Sequence, residues 1–111
     1  MSWLESALLV ALLGGVGSVL RYLFSIWNGL IPWGILAANS IASFVAGLAI
    51  ASGFFETALV VGLAGGLSTF STFAAQTSYL LTKGKNQTAA LNTALNLLIP
   101  ALLFLTASIL L

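Results

Sequence analysis

The chain has 111 residues, of which 60% are hydrophobic and only 5% are charged, and its formal net charge is +1. A water-soluble domain carries about 25% charged residues, so this composition excludes an ordinary soluble fold and indicates one membrane-embedded domain over residues 1–111. The sequence contains no Cys and no His, and its few basic residues form no patch, which argues against disulfides, zinc–thiolate sites and a nucleic-acid partner.

Charged residues divide the chain into uncharged runs that are long enough to cross a bilayer, which takes about 20 apolar residues. We predict four transmembrane helices at about residues 6–27, 33–54, 57–82 and 87–111, joined by short loops and surrounded by membrane lipid. The fold class expected is therefore an all-α membrane protein.

Helix one carries small residues, Gly14, Gly17 and Ser18, which favour close packing against another helix. Arg21 lies near the end of this helix, and two interpretations are open. Its side chain either extends to the membrane interface, or it attracts anions at an aqueous vestibule.

Helix two begins after Pro32, and polar residues Asn39 and Ser43 interrupt its apolar run. They are four residues apart and therefore face the same way. An asparagine in lipid needs hydrogen-bond partners. Asn39 therefore either makes a structural bond between helices or directs its amide at a permeating anion.

Helix three contains the least helix-like stretch, residues 62–73, where two adjacent glycines precede hydroxyls at four of the next six positions. Because Gly, Ser and Thr weaken a helix, we predict a break near Gly65–Thr69 at mid-membrane depth. Backbone freed there must be buried or must line a cavity or an ion site. Phe70 and Phe73 share a face beyond the break. They are either packing residues or ring edges whose positive potential suits a desolvated anion.

Helix four carries Asn92 and Asn96, which share a face, and then Pro100. The residues beyond Pro100 are nearly all apolar as far as Thr106.

Residues 62–73, GLAGGLSTFSTF, together with residues 14–22 and 34–44, resemble the motifs of the Fluc (CrcB) fluoride channels. The resemblance implies no enzyme but a passive channel in the bacterial plasma membrane that exports cytoplasmic fluoride. It implies an antiparallel, dual-topology-type dimer with two pores and a central structural sodium ion shared by the subunits. The fluoride pathway it implies comprises Arg21, Asn39, Ser43, Phe70, Thr72 and Phe73, and the sodium ligands are the backbone carbonyls of Gly65 and Ser68.

One part of the chain departs from the family pattern. Members have a line of hydroxyls along helix four, and by sequence register these positions fall near Ala101 and Leu105, which cannot donate hydrogen bonds. The pore segment from this helix is therefore expected to be degraded.

Two other functional classes remain in view. A small multidrug-resistance-type exporter coupled to protons has four similar helices but needs an acidic residue deep in helix one, whereas Glu5 lies at its very start. A purely structural membrane subunit would conduct no ion.

Orientation is a further open point. Arg21, Lys83 and Lys85 lie on one predicted side of the membrane, and Glu5 and Glu56 lie on the other. Because Lys and Arg favour the cytoplasm, the termini are expected outside. The second subunit is then either an identical chain, in a homodimer, or a homologous chain of opposite orientation, in a heterodimer.

Overall fold

The computed structural model describes residues 2–53 and 58–110, and these contain helices and turns but no strand. The elements are α1 (Trp3–Ser25), α2 (Trp33–Ser52), a π-helical segment (Ala58–Ala64), α3 (Gly65–Leu67), α4 (Phe70–Thr82) and α5 (Asn86–Leu110). Four spans are long and apolar enough to cross a membrane, and the third of them is Ala58–Thr82. The predicted all-α class and the four membrane helices are confirmed. The predicted helix ends at 54, 57 and 111, and Glu56, lie outside the described residues.

Helix ends follow the local sequence. Ser2 caps α1 because its hydroxyl accepts from the Glu5 N–H at 3.2 Å, which also places an acidic residue in the positively polarised first turn. Gly53 ends α2 with a φ of 70°, a conformation that costs glycine little. The turn between α4 and α5 uses Gly84, with a φ of 74°, in the same way.

The third span packs against α1 through glycines. A Cβ added to Gly17 would lie 2.5 Å from the Leu63 carbonyl oxygen and 2.8 Å from the Leu67 nitrogen, and one added to Gly66 would meet the Gly14 carbonyl. The small face of α1 therefore allows the close packing that its sequence predicts. Gly66 lies within helix α3, so its lack of a side chain allows α1 to pack closely and does not cause the break.

Helix α2 lies at the centre and buries mostly small side chains. Ala38 and Ala42 form a cluster with Ala64 and Leu67 of the third span, while Gly47 meets the backbone of α5 at Phe104. The outer surfaces expose many large apolar side chains, which water would disfavour and lipid tails accept. The chain is a multi-pass membrane protein.

Candidate functional site

The third span breaks at Ser68 and Thr69, inside the predicted interval. Both residues are extended, with ψ of 152° and 120°, between helical residues on either side. The Ser68 N–H closes the first half by donating to the Ala64 carbonyl at 2.9 Å. The Thr69 hydroxyl opens the second half by accepting from the Thr72 N–H at 3.0 Å. The Thr69 hydroxyl therefore stabilises the break, because it replaces the helical backbone acceptor of the Thr72 N–H.

Asn39 holds the broken backbone from the neighbouring helix. Its Oδ1 accepts from the Thr69 N–H at 2.7 Å, and its Nδ2 donates to the Thr69 carbonyl at 3.3 Å. The same Nδ2 donates to Asn96 Oδ1 at 3.0 Å. The bonds between helices that one of the two interpretations of Asn39 requires are present, and both amide hydrogens of Asn39 are engaged in this conformation.

The polar contacts continue along α5. Asn96 Nδ2 donates to the Asn92 backbone carbonyl at 2.9 Å and to Asn92 Oδ1 at 3.0 Å. Asn92 is fully buried, and its Nδ2 donates to Thr77 Oγ1 on α4 at 3.1 Å. A chain of three amides thus connects the break to α4. We name it the amide chain: Asn39, Asn96, Asn92 and the terminal hydroxyl of Thr77.

The break opens into a groove of about 290 Å³ that we name the phenylalanine groove. Its lining residues are Asn39, Ser43, Ser68, Thr69, Phe70, Phe73, Asn96, Leu97 and Pro100. The Phe70 and Phe73 rings are 5.8 Å apart between centroids and tilted by 56°, and Phe70 is 78% exposed. All these residues are uncharged, so polarity here comes only from amides, hydroxyls and ring edges.

Arg21 and Thr72 lie in a different groove. It has about 360 Å³ and is lined by Arg21, Tyr22, Ser25, Ile35, Thr69, Ser71 and Thr72. We name it the arginine groove. Thr69 lines both grooves, so they adjoin at the break. The structure therefore divides the predicted pathway residues into two groups. Arg21 and Thr72 line the arginine groove, and the phenylalanine groove is lined by Asn39, Ser43, Phe70 and Phe73.

Gly65 and Ser68 line a third groove, of about 570 Å³, which we name the small-residue groove. Its other lining residues are Ala42, Ser43, Ala46, Val60, Ala64, Pro100, Ala101, Phe104 and Leu105. In a continuous helix the carbonyls of Gly65 and Ser68 would bond the N–H groups of Thr69 and Thr72. Those two N–H groups instead donate to the side chains of Asn39 and Thr69.

Sequence analysis missed the roles of Asn92, Asn96 and Thr77. The four-residue spacing of the two asparagines indicated a shared face, but it did not say which helices that face meets. Ala101 and Leu105 do line a groove, and they present only apolar side chains to it.

Comparison with known proteins identifies the family. The profile described as CrcB-like protein, Camphor Resistance (CrcB), matches residues 8–109. The chain belongs to the CrcB family. A relative from Shewanella oneidensis, named fluoride-specific ion channel FluC, is 41% identical over 85% of this chain and 86% of its own length. Proteins of the same name from Serratia proteamaculans and Escherichia coli O139:H28 are 41% and 40% identical, each aligned over 84% of its own length and over 85% and 86% of this chain. The family resemblance seen in the sequence is confirmed.

Proposed function

We propose that this chain is a subunit of a fluoride-selective channel, not an enzyme, that lets fluoride leave the cytoplasm passively across the bacterial plasma membrane. The observation that carries the proposal is the broken third span, whose gap faces Asn39, Phe70 and Phe73 in one uncharged groove. The names of its relatives agree with this function.

The chemistry of the phenylalanine groove suits a small anion that must also leave. Amide N–H groups and aromatic ring edges replace hydration water without a formal positive charge. Conduction requires binding that is favourable enough to enter but weak enough to escape. Asn39, Phe70 and Phe73 supply this moderate attraction, and Ser43 adds a hydroxyl at the same groove.

Arg21 is proposed to act before the ion reaches this groove. It lines the arginine groove with Thr72 and Thr69, and Thr69 also borders the phenylalanine groove. A cation beside a cleft raises the local concentration of anions. Arg21 therefore concentrates fluoride at the entrance, and Thr72 offers a hydroxyl on the way in.

A second subunit is proposed to complete the pathway. In one chain the phenylalanine groove is open, with the Phe70 ring 78% exposed, and the adjoining small-residue groove is open as well. An antiparallel dimer would cover both and form two pores. The partner is either a second copy or a homologous chain inserted the other way. The apolar Ala101 and Leu105 favour the heterodimer, because such a pair tolerates one weak pore.

A structural sodium ion is proposed between the subunits. Gly65 and Ser68 border the small-residue groove, and the helical donors to their carbonyls bond to side chains instead. Hard monovalent cations prefer oxygen ligands of this kind, which unwound membrane helices supply. Two carbonyls from each of two subunits would hold the ion. It would neutralise carbonyl dipoles that are costly to leave unpaired in a bilayer.

The decisive experiment is anion efflux from liposomes that contain the purified protein. Fluoride should leave after valinomycin is added, and chloride should stay. Phe70→Ile and Phe73→Ile should lower fluoride efflux while the protein remains folded, because they remove ring edges but keep apolar volume. Phe44→Ile is the matched control, since Phe44 does not line the phenylalanine groove.

Three outcomes would contradict the proposal. Equal chloride efflux would refute selectivity. Absence of efflux from every assembled form, including one with a homologous partner, would favour a structural subunit. Wild-type efflux in both phenylalanine variants would mean that these rings only pack.

A further inference from the structure

Asn39, the first member of the amide chain, sets the donor-to-acceptor direction of its hydrogen bonds. The Thr69 N–H can only donate, so Asn39 must turn its Oδ1 toward Thr69 and its Nδ2 toward Asn96. Asn96 then presents Oδ1 to Asn39 and turns its own Nδ2 away to Asn92. Each amide is thereby oriented by the one before it.

This orientation is unfavourable for an anion in the phenylalanine groove. Asn96 lines the groove, yet the group that it turns toward Asn39 is an oxygen, which repels an anion. Both amide hydrogens of Asn39 are already engaged, one of them by that oxygen. An arriving anion therefore competes with Asn96 for the best-placed donor.

A half-turn of the Asn96 amide would remove the competition and add a donor. Its Nδ2 would then lie where Oδ1 lies now, which is 3.0 Å from Asn39 Nδ2. Hydrogen bonds from N–H groups to charged acceptors span about 2.7–2.9 Å, so one small anion can accept from both nitrogens at once. Without the anion, the two donors would face each other unpaired.

The far end of the amide chain can accommodate this turn. If the Asn92 amide turns together with that of Asn96, Asn92 Nδ2 donates to Asn96 Oδ1, and Asn92 Oδ1 faces Thr77. The Thr77 hydroxyl now accepts from Asn92, but a hydroxyl can rotate to donate instead. The Asn96–Asn92 and Asn92–Thr77 bonds are then reversed, and the anion takes the place of the bond between Asn39 and Asn96. The bond from Asn96 to the Asn92 backbone carbonyl is lost, and the turned Asn96 Oδ1 faces that carbonyl oxygen.

We propose that Asn96 is a second amide donor to the permeating fluoride, and that Asn92 and Thr77 are positioning residues whose joint turn converts Asn96 from acceptor to donor. The inference rests on the proposed fluoride channel and assigns three residues on α4 and α5 to its ion pathway.

Efflux measurements separate this role from simple competition. Asn96→Leu removes both the oxygen and the donor while nearly keeping the volume. If Asn96 donates to the ion, efflux should fall about tenfold or more and its half-saturating fluoride concentration should rise, since a charged hydrogen bond is lost. Efflux that is unchanged or faster would show that Asn96 only competes for Asn39, and would overturn the proposal.

Thr77 tests the positioning role with an internal rescue. Thr77→Val removes the hydroxyl and should lower efflux several-fold, whereas Thr77→Ser keeps the hydroxyl and should restore it. Thr93→Val is the matched control, because the Thr93 hydroxyl donates to the Ala89 carbonyl of its own helix and stands outside the amide chain. Equal efflux from the Val and Ser variants of Thr77 would refute its role as a positioning residue.

A spectroscopic measurement on the wild-type chain does not depend on how the variants fold. With ¹⁵N-labelled asparagine, fluoride but not chloride should shift the side-chain amide signals of Asn92 and Asn96, and a ¹H–¹⁹F coupling should appear at Asn96. A response at Asn39 alone would overturn the inference. Lack of fluoride efflux from every assembled wild-type form, including one with a homologous partner, would instead refute the channel function, so the two failures are distinguishable.

Discussion

Gly17→Ala tests the close approach between α1 and the broken third span. The new Cβ would lie 2.5 Å from the Leu63 carbonyl oxygen and 2.8 Å from the Leu67 nitrogen. Ordinary carbon contacts lie at about 3.5–4.0 Å, so the two helices must separate by roughly 1 Å. Both contacted atoms belong to backbone, which cannot rotate away.

The magnitude follows from two opposing terms. Overpacking costs about 1–3 kcal/mol, and backbone contacts place this site at the upper end. Alanine offsets up to about 1 kcal/mol through its better helix propensity. The net expectation is a loss of about 2 kcal/mol in the free energy of unfolding, together with misalignment of the break that follows Leu67.

Gly15→Ala is the control, on the same helix two residues away. No heavy atom of the described residues beyond its chain neighbours and its own helix lies within 4 Å of a Cβ added there, so only the propensity gain remains. Thermal unfolding in detergent, followed by tryptophan fluorescence, should rank Gly17→Ala below the wild type and Gly15→Ala at or slightly above it. If both variants unfold at the same temperature, the helices are not in the contact described and the reasoning fails.

Two further predictions concern assembly. Replacing sodium by N-methyl-D-glucamine should lower both the thermal stability of the proposed dimer and its fluoride efflux, with recovery on adding sodium back; identical behaviour without sodium would exclude a structural ion at Gly65 and Ser68. Reporters fused to the C-terminus of the chain expressed alone should lie outside the cytoplasm if the heterodimer forms, whereas equal populations on both sides, with efflux from the single purified chain, would establish the homodimer.

The sequence was sufficient for the position of the break but not for its mechanism. Four hydroxyls after two glycines located it, because these residue types weaken any helix. Gly66 turned out to be a packing residue, since its partner Gly14 lies on a helix some 50 residues earlier in the chain. No local pattern records which helix will lie across from Gly66.

The sequence also could not predict which polar residues lie together in the folded chain. Asn39 and Asn96 are 57 positions apart and meet only because α2 and α5 pack together. Arg21 and Thr72 share a groove that excludes Phe73, although Thr72 and Phe73 are adjacent in the chain. Sequence register alone could name candidate pathway residues, but it could not separate those that line the arginine groove from those that line the phenylalanine groove.

The double attachment of Asn39 has a consequence for anyone who wishes to engineer this protein. The residue proposed to meet the ion also holds the backbone of the third span, so a substitution at Asn39 changes both properties at once. An Asn39 variant without fluoride efflux would be ambiguous, because loss of an ion contact and loss of the hydrogen bonds to Thr69 would both abolish efflux from liposomes. Ser43 borders the phenylalanine groove without bonding to the backbone of the break, so a substitution there would test the proposed ion pathway while leaving the hydrogen bonds between Asn39 and Thr69 in place.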